Sequence, residues 1–270
     1  MEFYRNGRDE ALKLGIRTDF VNLPEVAALG CDYVEIPLDA LAALPEGDFG
    51  DFVDYVEGNA IPVLACGNML PDDLPVTGPD VSASALHGYL KHALGRAQRL
   101  GVKVAVLDGA KSRAVPLDGD FPFAWRQLGN FLRLMQGHAH DAGITVALEP
   151  LRKADCNLLN LVSEATLIAG LLQLDHIAVA AHFGHMAMAS EPLSALRRAA
   201  PLLRHVYIEN ALTRALPRPG DGEDYGRLLE TLRDIGYAGG VTLTGTISES
   251  FAEDAERALE YMGDQGGTRD

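Results

Sequence analysis

Along this chain, short apolar runs in which bulky and small or polar residues alternate give way again and again to longer stretches with helical spacing. The runs KLGIR (13–17), DYVEI (32–36), IPVLAC (61–66), VKVAVL (102–107), ITVALE (144–149), IAVAAH (177–182), HVYIE (205–209) and VTLT (241–244) read as strands. Between them, SALHGYLKHALGRAQRL, FAWRQLGNFLRLMQGHAHDA and DYGRLLETLRDI read as helices. Each is followed closely by a glycine able to end it: Gly101, Gly143 and Gly236. Strand–helix alternation predicts a parallel sheet. Eight such units in a chain of this length predict a single-domain (β/α)8 TIM barrel over residues 1–270. Residues 1–12 are expected to form an N-terminal extension, and the polar stretch 263–270 a frayed tail.

In such a barrel, alternate side chains face the helices or the barrel interior, and chemistry sits at the C-terminal ends of the strands. In ITVALE the bulky Ile144, Val146 and Leu148 belong under the helices, which turns Glu149 inward at the mouth. The same alternation turns His182 inward in IAVAAH, and His205, Tyr207 and Glu209 in HVYIE. It also turns Thr242 and Thr244 inward in VTLT, Glu35 in DYVEI and Cys66 in IPVLAC. The loop beyond the sixth strand adds His185, and the loops after the third and fourth strands add Asn68, Lys111 and Arg113.

Composition narrows the class. At 270 residues and 47% hydrophobic, the chain can bury a large core. No apolar run approaches the roughly 20 residues of a membrane span, and the N-terminus MEFYRNGRDEALK is too polar for a signal peptide. Three widely spaced cysteines without a CxxC fit reduced thiols in a cytoplasmic protein. A net charge of −15 repels phosphate backbones and argues against a nucleic-acid partner. The helix-rich outside of a barrel is compatible with a homo-oligomer.

The motifs VLDGAKSRAVPLDG (106–119), ALEPLRKADCNLLNLVSEA (147–165), HFGHMAMASEPL (182–193), RHVYIEN…RPGDGEDY (204–225) and GYAGGVTL (236–243) occur in this order. Together they make the chain resemble the xylose-isomerase-like TIM barrels of the sugar isomerase/epimerase superfamily. In that family one divalent cation is held by Glu, Asp, His and Glu from the fifth to the eighth strands. The resemblance places Glu149 at the first ligand position, but His182, Tyr207 and Thr244 at the other three. With one carboxylate left of three, tight Mg²⁺ or Mn²⁺ is not expected.

The HFGH segment therefore has three readings. Glu149, His182 and His185 could hold Zn²⁺; an imidazolium could replace the cation beside Glu149; or the site could be a relic that only binds. The resemblance implies a sugar-like substrate with a carbonyl. Glu149, His182 and His185 would be catalytic, and Arg113, Tyr207, Glu209, Glu35, Asn68 and Lys111 would bind substrate. The leading expectation is an isomerase or epimerase working by proton transfer next to the carbonyl without the usual metal. The alternatives are a non-catalytic binding or partner subunit, and a dehydratase or other lyase with a Zn-type site. Because Thr244 is too weak a base to serve the opposite face, one-base chemistry is expected over epimerisation.

Overall fold

The computed structural model describes residues 12–248 and 250–266; the expected N-terminal extension, save Leu12, lies outside the described residues. Along the chain the elements are β1 (Lys13–Arg17), α1 (Leu23–Ala28), β2 (Tyr33–Pro37), α2 (Leu38–Ala43), α3 (Glu46–Gly58), β3 (Val63–Gly67), α4 (Ala83–Arg99) and β4 (Val104–Leu107). They continue with α5 (Ala110–Arg113), α6 (Phe121–Ala142), β5 (Thr145–Leu148), α7 (Val162–Leu172), β6 (Ile177–His182) and α8 (Phe183–Met188). The last are α9 (Ser194–Ala199), β7 (Leu203–Ile208), α10 (Tyr225–Asp234), β8 (Gly240–Leu243) and α11 (Phe251–Gly266). All eight strands pair in parallel with their sequence neighbours, and β8 closes on β1. This is a single-domain (β/α)8 barrel.

The long helices begin and end where local chemistry directs. Ser82, Asp120 and Asp224 accept backbone N–H groups at the starts of α4, α6 and α10, satisfying donors the first turn leaves unpaired. Gly143 closes α6 at φ +65°, and Gly101 and Gly236 follow α4 and α10 with similar positive φ. The apolar stripe Ala124, Leu128, Phe131, Leu132, Met135 and Ala139 is the buried face of α6. At the far end α11 runs as a helix to Gly266, so the first part of the expected tail is helical; the remainder lies outside the described residues.

The core has two layers. The larger lies between sheet and helices and takes Ile144, Val146, Leu148, Val179, Ala181, Val206, Ile208, Val241 and Leu243. Inside the barrel, Val106, Ala147, Ala180 and Tyr207 form a separate small cluster. Strand alternation thus sorts β5–β8 as the pattern required. β3 is the exception: the β2–β3 register shifts at Val34/Glu35, and Ile36 pairs with Cys66. Cys66 consequently packs in the sheet–helix layer, while Gly67 faces Glu35 inside.

Small residues at inward positions leave room for a polar interior. Gly15 and Gly240 lie against the Tyr33 ring so closely that a Cβ on either would overlap it. Tyr33 shares a 2.7 Å hydroxyl hydrogen bond with Thr242. One level higher, Glu35 is completely buried and accepts from Tyr207 Oη (2.7 Å), His205 Nε2 (3.0 Å) and Thr242 Oγ1 (3.0 Å). Burial would raise the Glu35 carboxyl, but His205, Arg17 and Tyr207 overcome it and hold it below the usual range.

Candidate active site

At the C-terminal mouth of the barrel lies a cavity of about 560 Å³, whose lining includes Arg17, Asn68, Asp108, Lys111, Glu149 and Leu151. Asp155, His182, His185, Glu209, Arg214 and Thr244–Thr246 complete it. That volume suits a small-molecule ligand of sugar size.

Glu149 follows β5 directly, and its backbone is fixed before its side chain is considered. Its N–H donates to Leu107 O (3.2 Å), and the Arg113 guanidinium donates to its carbonyl. Oε1 lies 3.2 Å from His185 Nδ1. Oε2 is buried and has no hydrogen-bond partner among the described residues. An unpaired buried carboxylate oxygen costs on the order of 1–3 kcal/mol or more, so Oε2 is a polar atom that the described residues leave unsatisfied in a residue lining the cavity.

His182 ends β6 and caps α8: its Nδ1 accepts His185 N–H at 3.4 Å. This sharp turn folds the two imidazoles face to face, with centroids 3.7 Å apart and planes 9° from parallel. Gly184 allows the turn to press on β7, since a Cβ there would stand 3.0 Å from Glu209 O. His182 Nε2 lies 3.8 Å from Glu209 Oε2, and Glu209 Oε1 lies 3.6 Å from Arg214 Nε. A continuous row results: Glu149, His185, His182, Glu209.

The two histidines differ electrostatically. Burial, His185 and Arg17 push the His182 pKa well below its ordinary value, so His182 is neutral. At His185 burial acts the same way but is overcome by Glu149, with the Pro150 carbonyl 3.1 Å from Nδ1 assisting, and its pKa is raised. The Glu209 carboxyl is raised, by burial above all. Of the two rings, His185 is the one whose shift favours an imidazolium.

Glu149, His182 and His185 bring ligand atoms within 4.8 Å of one another, the spacing of a candidate metal triad. The rings do not fit joint coordination. An imidazole binds zinc close to its own plane at about 2.0–2.1 Å. An ion between parallel rings 3.7 Å apart would leave both planes by nearly half that separation. His182 Nδ1 is also engaged by backbone, and His185 Nδ1 by Glu149 and Pro150. Tyr207, which the resemblance places at a ligand position, spends its hydroxyl on Glu35.

Other expected binding residues fall at different depths. Glu209, Asn68 and Lys111 line the cavity, Lys111 at the rim in a 2.6 Å ion pair with Asp72. Glu35 and Tyr207 lie beneath the floor, fully buried, and do not line it. Arg113 is completely buried, with its guanidinium donating to the Leu107 and Glu149 carbonyls, so it does not reach the cavity to hold a substrate oxyanion. In the loop after β5, Asn157 and Asn160 also hydrogen-bond to loop backbone.

Among the charged lining residues, Arg17, Asp108, Asp155 and Arg214 were not expected from sequence as site residues. Arg17 ends β1 on the inward face that Glu35 and Glu149 share with it, a signal already in the strand pattern. Arg17 Nη2 donates to Asn68 Oδ1 (2.5 Å) and Asp108 Oδ2 (2.9 Å). Arg214 is brought to the mouth because its carbonyl accepts Thr246 N–H (2.8 Å), tying the β7 and β8 loops together.

Known proteins place this geometry. Over 144 residues the chain is 31% identical to 3-dehydro-D-guloside 4-epimerase of Escherichia coli strain K12. That match spans 53% of this chain and about half, 51%, of the relative. The crystal structure of apo 3-keto-D-glucoside 4-epimerase from E. coli superposes with a TM-score of 0.80 at 20% identity, covering 94% of this chain and 99% of that one. D-Psicose 3-epimerase, determined in the presence of D-fructose, superposes with a TM-score of 0.83 at 19% identity, covering 95% and 100%. The family model described as xylose isomerase-like TIM barrel matches residues 23–265, and this chain belongs to that family.

Proposed function

We propose that the protein is a sugar epimerase or isomerase that moves a proton on the carbon next to the carbonyl of a keto-sugar or keto-glycoside. The observation that carries this reading is Glu149, whose Oε2 lacks a partner beside the cavity while Oε1 is paired with His185. The epimerase relatives add support for the substrate class.

In this reading the substrate lies across the row of acids and imidazoles. Glu149 Oε2 takes the proton from carbon, and the electron pair moves to the carbonyl oxygen. His185, protonated beside Glu149, keeps that carboxylate oriented. Glu209 serves as the second proton carrier, since burial holds its carboxyl raised and it lines the same cavity as Glu149, with His182 Nε2 3.8 Å away. In this reading Glu209, just beyond β7, is the second group that Thr244 is too weak to supply, and two-base epimerisation is preferred to one-base chemistry. Positioned proton transfer of this kind is worth about 10²–10⁴ in rate per group. The stacked rings support chemistry without a resident divalent ion.

The test is solvent-deuterium incorporation, followed by NMR, with a panel of ketohexoses and 3-keto-glycosides. Wild type should introduce deuterium next to the carbonyl of at least one, and Glu149→Gln should lose it by 10²-fold or more. Full activity in Glu149→Gln would contradict the reading. Binding without exchange across the panel would favour a non-catalytic ligand-binding protein.

A further inference from the structure

Resting on that reading, we infer that the Arg17 guanidinium is the fixed cation that receives the substrate's carbonyl oxygen, in the role a divalent ion would otherwise fill. Arg17, at the end of β1, lines the same cavity as Glu149 and the imidazole pair. Its guanidinium stands 5.8 Å above the centre of the Tyr207 ring. Nη2 is fixed by Asn68 and Asp108, and Nε lies 3.7 Å from Glu35 Oε1. Nη1 makes no hydrogen bond among the described residues.

The placement is built into the backbone. A Cβ at Gly67 would stand 2.6 Å from Arg17 Cζ and 2.7 Å from Glu35 Oε1, so the guanidinium lies where a side chain on β3 would otherwise be. Asn68 holds a positive φ of 45° while its N–H and that of Met69 both donate to Asp108. The two carboxylates beside Arg17 are thus largely satisfied by other donors: Asp108 by two backbone N–H groups, Glu35 by His205, Tyr207 and Thr242. They orient the cation without consuming its remaining N–H donors.

In the step itself, the C–H bond next to the carbonyl breaks, its proton goes to Glu149, and the electron pair forms a carbon–carbon double bond as the carbonyl becomes an oxyanion. Arg17 meets that oxyanion with N–H donors already in place. On return of a proton to carbon the oxyanion collapses to the carbonyl, so no other reactant is required. A preorganised donor of this type is worth about 10²–10³ in rate.

The experiment uses full-length protein treated with chelator and calorimetric binding of a six-carbon aldonate against its neutral alditol. Wild type should prefer the aldonate by about tenfold or more. Arg17→Gln should lose the preference, Arg17→Lys should keep only part, and guanidinium added to Arg17→Gly should restore some of it. Circular dichroism confirms that each variant is folded. Gly67→Ala, which leaves the arginine but crowds it, should also weaken the preference. An unchanged preference in Arg17→Gln, or one that arises only with added zinc or manganese and ignores Arg17, overturns the inference. If wild type turns over no sugar yet the preference depends on Arg17, the catalytic reading fails and the anion site stands.

Discussion

His182 and His185 lie face to face, 3.7 Å apart, because the imidazole that ends β6 also caps the turn that carries the second one. A three-residue spacing that in sequence reads as a ligand pair is thereby converted into a stack. Each ring is directed sideways to its own carboxylate, His185 to Glu149 and His182 towards Glu209. The stack thus lies between two carboxylates that follow β5 and β7, the strands on either side of β6.

The two raised groups predict a pH signature. For His185, a folded pKa above the unfolded value near 6.5 means its contribution is complete below that pH and is lost as pH rises through the folded pKa. Urea unfolding of wild type and His185→Gln across pH 5–9 should show a stability gap that narrows towards the alkaline end. A gap independent of pH would mean that the imidazole charge is not what pairs with Glu149.

Glu209 follows the same sign at lower pH. Its raised carboxyl favours folding below the unfolded carboxyl range and loses that contribution as pH rises through the folded value. Glu209→Gln, which cannot ionise, should therefore gain stability relative to wild type as pH rises towards neutrality, while proton exchange falls about 10²-fold or more. Thermal unfolding at pH 4 and pH 7.5, paired with NMR exchange, reads both.

Arg113 predicts a stability effect in place of a binding effect. Arg113→Ala removes a completely buried guanidinium and leaves the Leu107 and Glu149 carbonyls without it. Leu107 O keeps the Glu149 N–H, so at about 1–3 kcal/mol for a buried group left unpaired the loss should reach about 1–3 kcal/mol by denaturant unfolding. KM should change little, whereas kcat should fall because Glu149 loses a backbone anchor.

The interior network predicts a third class of variant. Thr242→Val deletes the hydroxyl joining Tyr33, His205 and Glu35 without touching the cavity lining. A loss of about 1–3 kcal/mol is expected, with KM near that of wild type. A selective rise in KM would show that the network below the floor reaches the ligand.

Much of this was legible in the chain. Alternation over β5–β8 placed Glu149, His182 and Glu209 at one cavity because small and bulky residues sort cleanly between barrel interior and helix layer. Depth was not legible: Tyr207 and Glu35 obey the alternation but sit one level too low, since level is set by barrel register and not by side-chain period. Cys66 was misplaced by the shift between β2 and β3, which no local pattern announces. Arg113 was misread because its partners are backbone carbonyls, invisible in residue identities, and Arg214 is carried to the mouth by a loop–loop hydrogen bond of the same anonymous kind.

The central claim is that carboxylates and imidazoles, not a resident ion, carry the proton. The most direct measurement is deuterium exchange into a turned-over keto-sugar, made on one protein sample before and after exhaustive chelation, with metal content determined in each. The account predicts equal exchange rates with metal far below one equivalent. Exchange that disappears on chelation and returns in proportion to added zinc or manganese, up to one ion per chain, would contradict it.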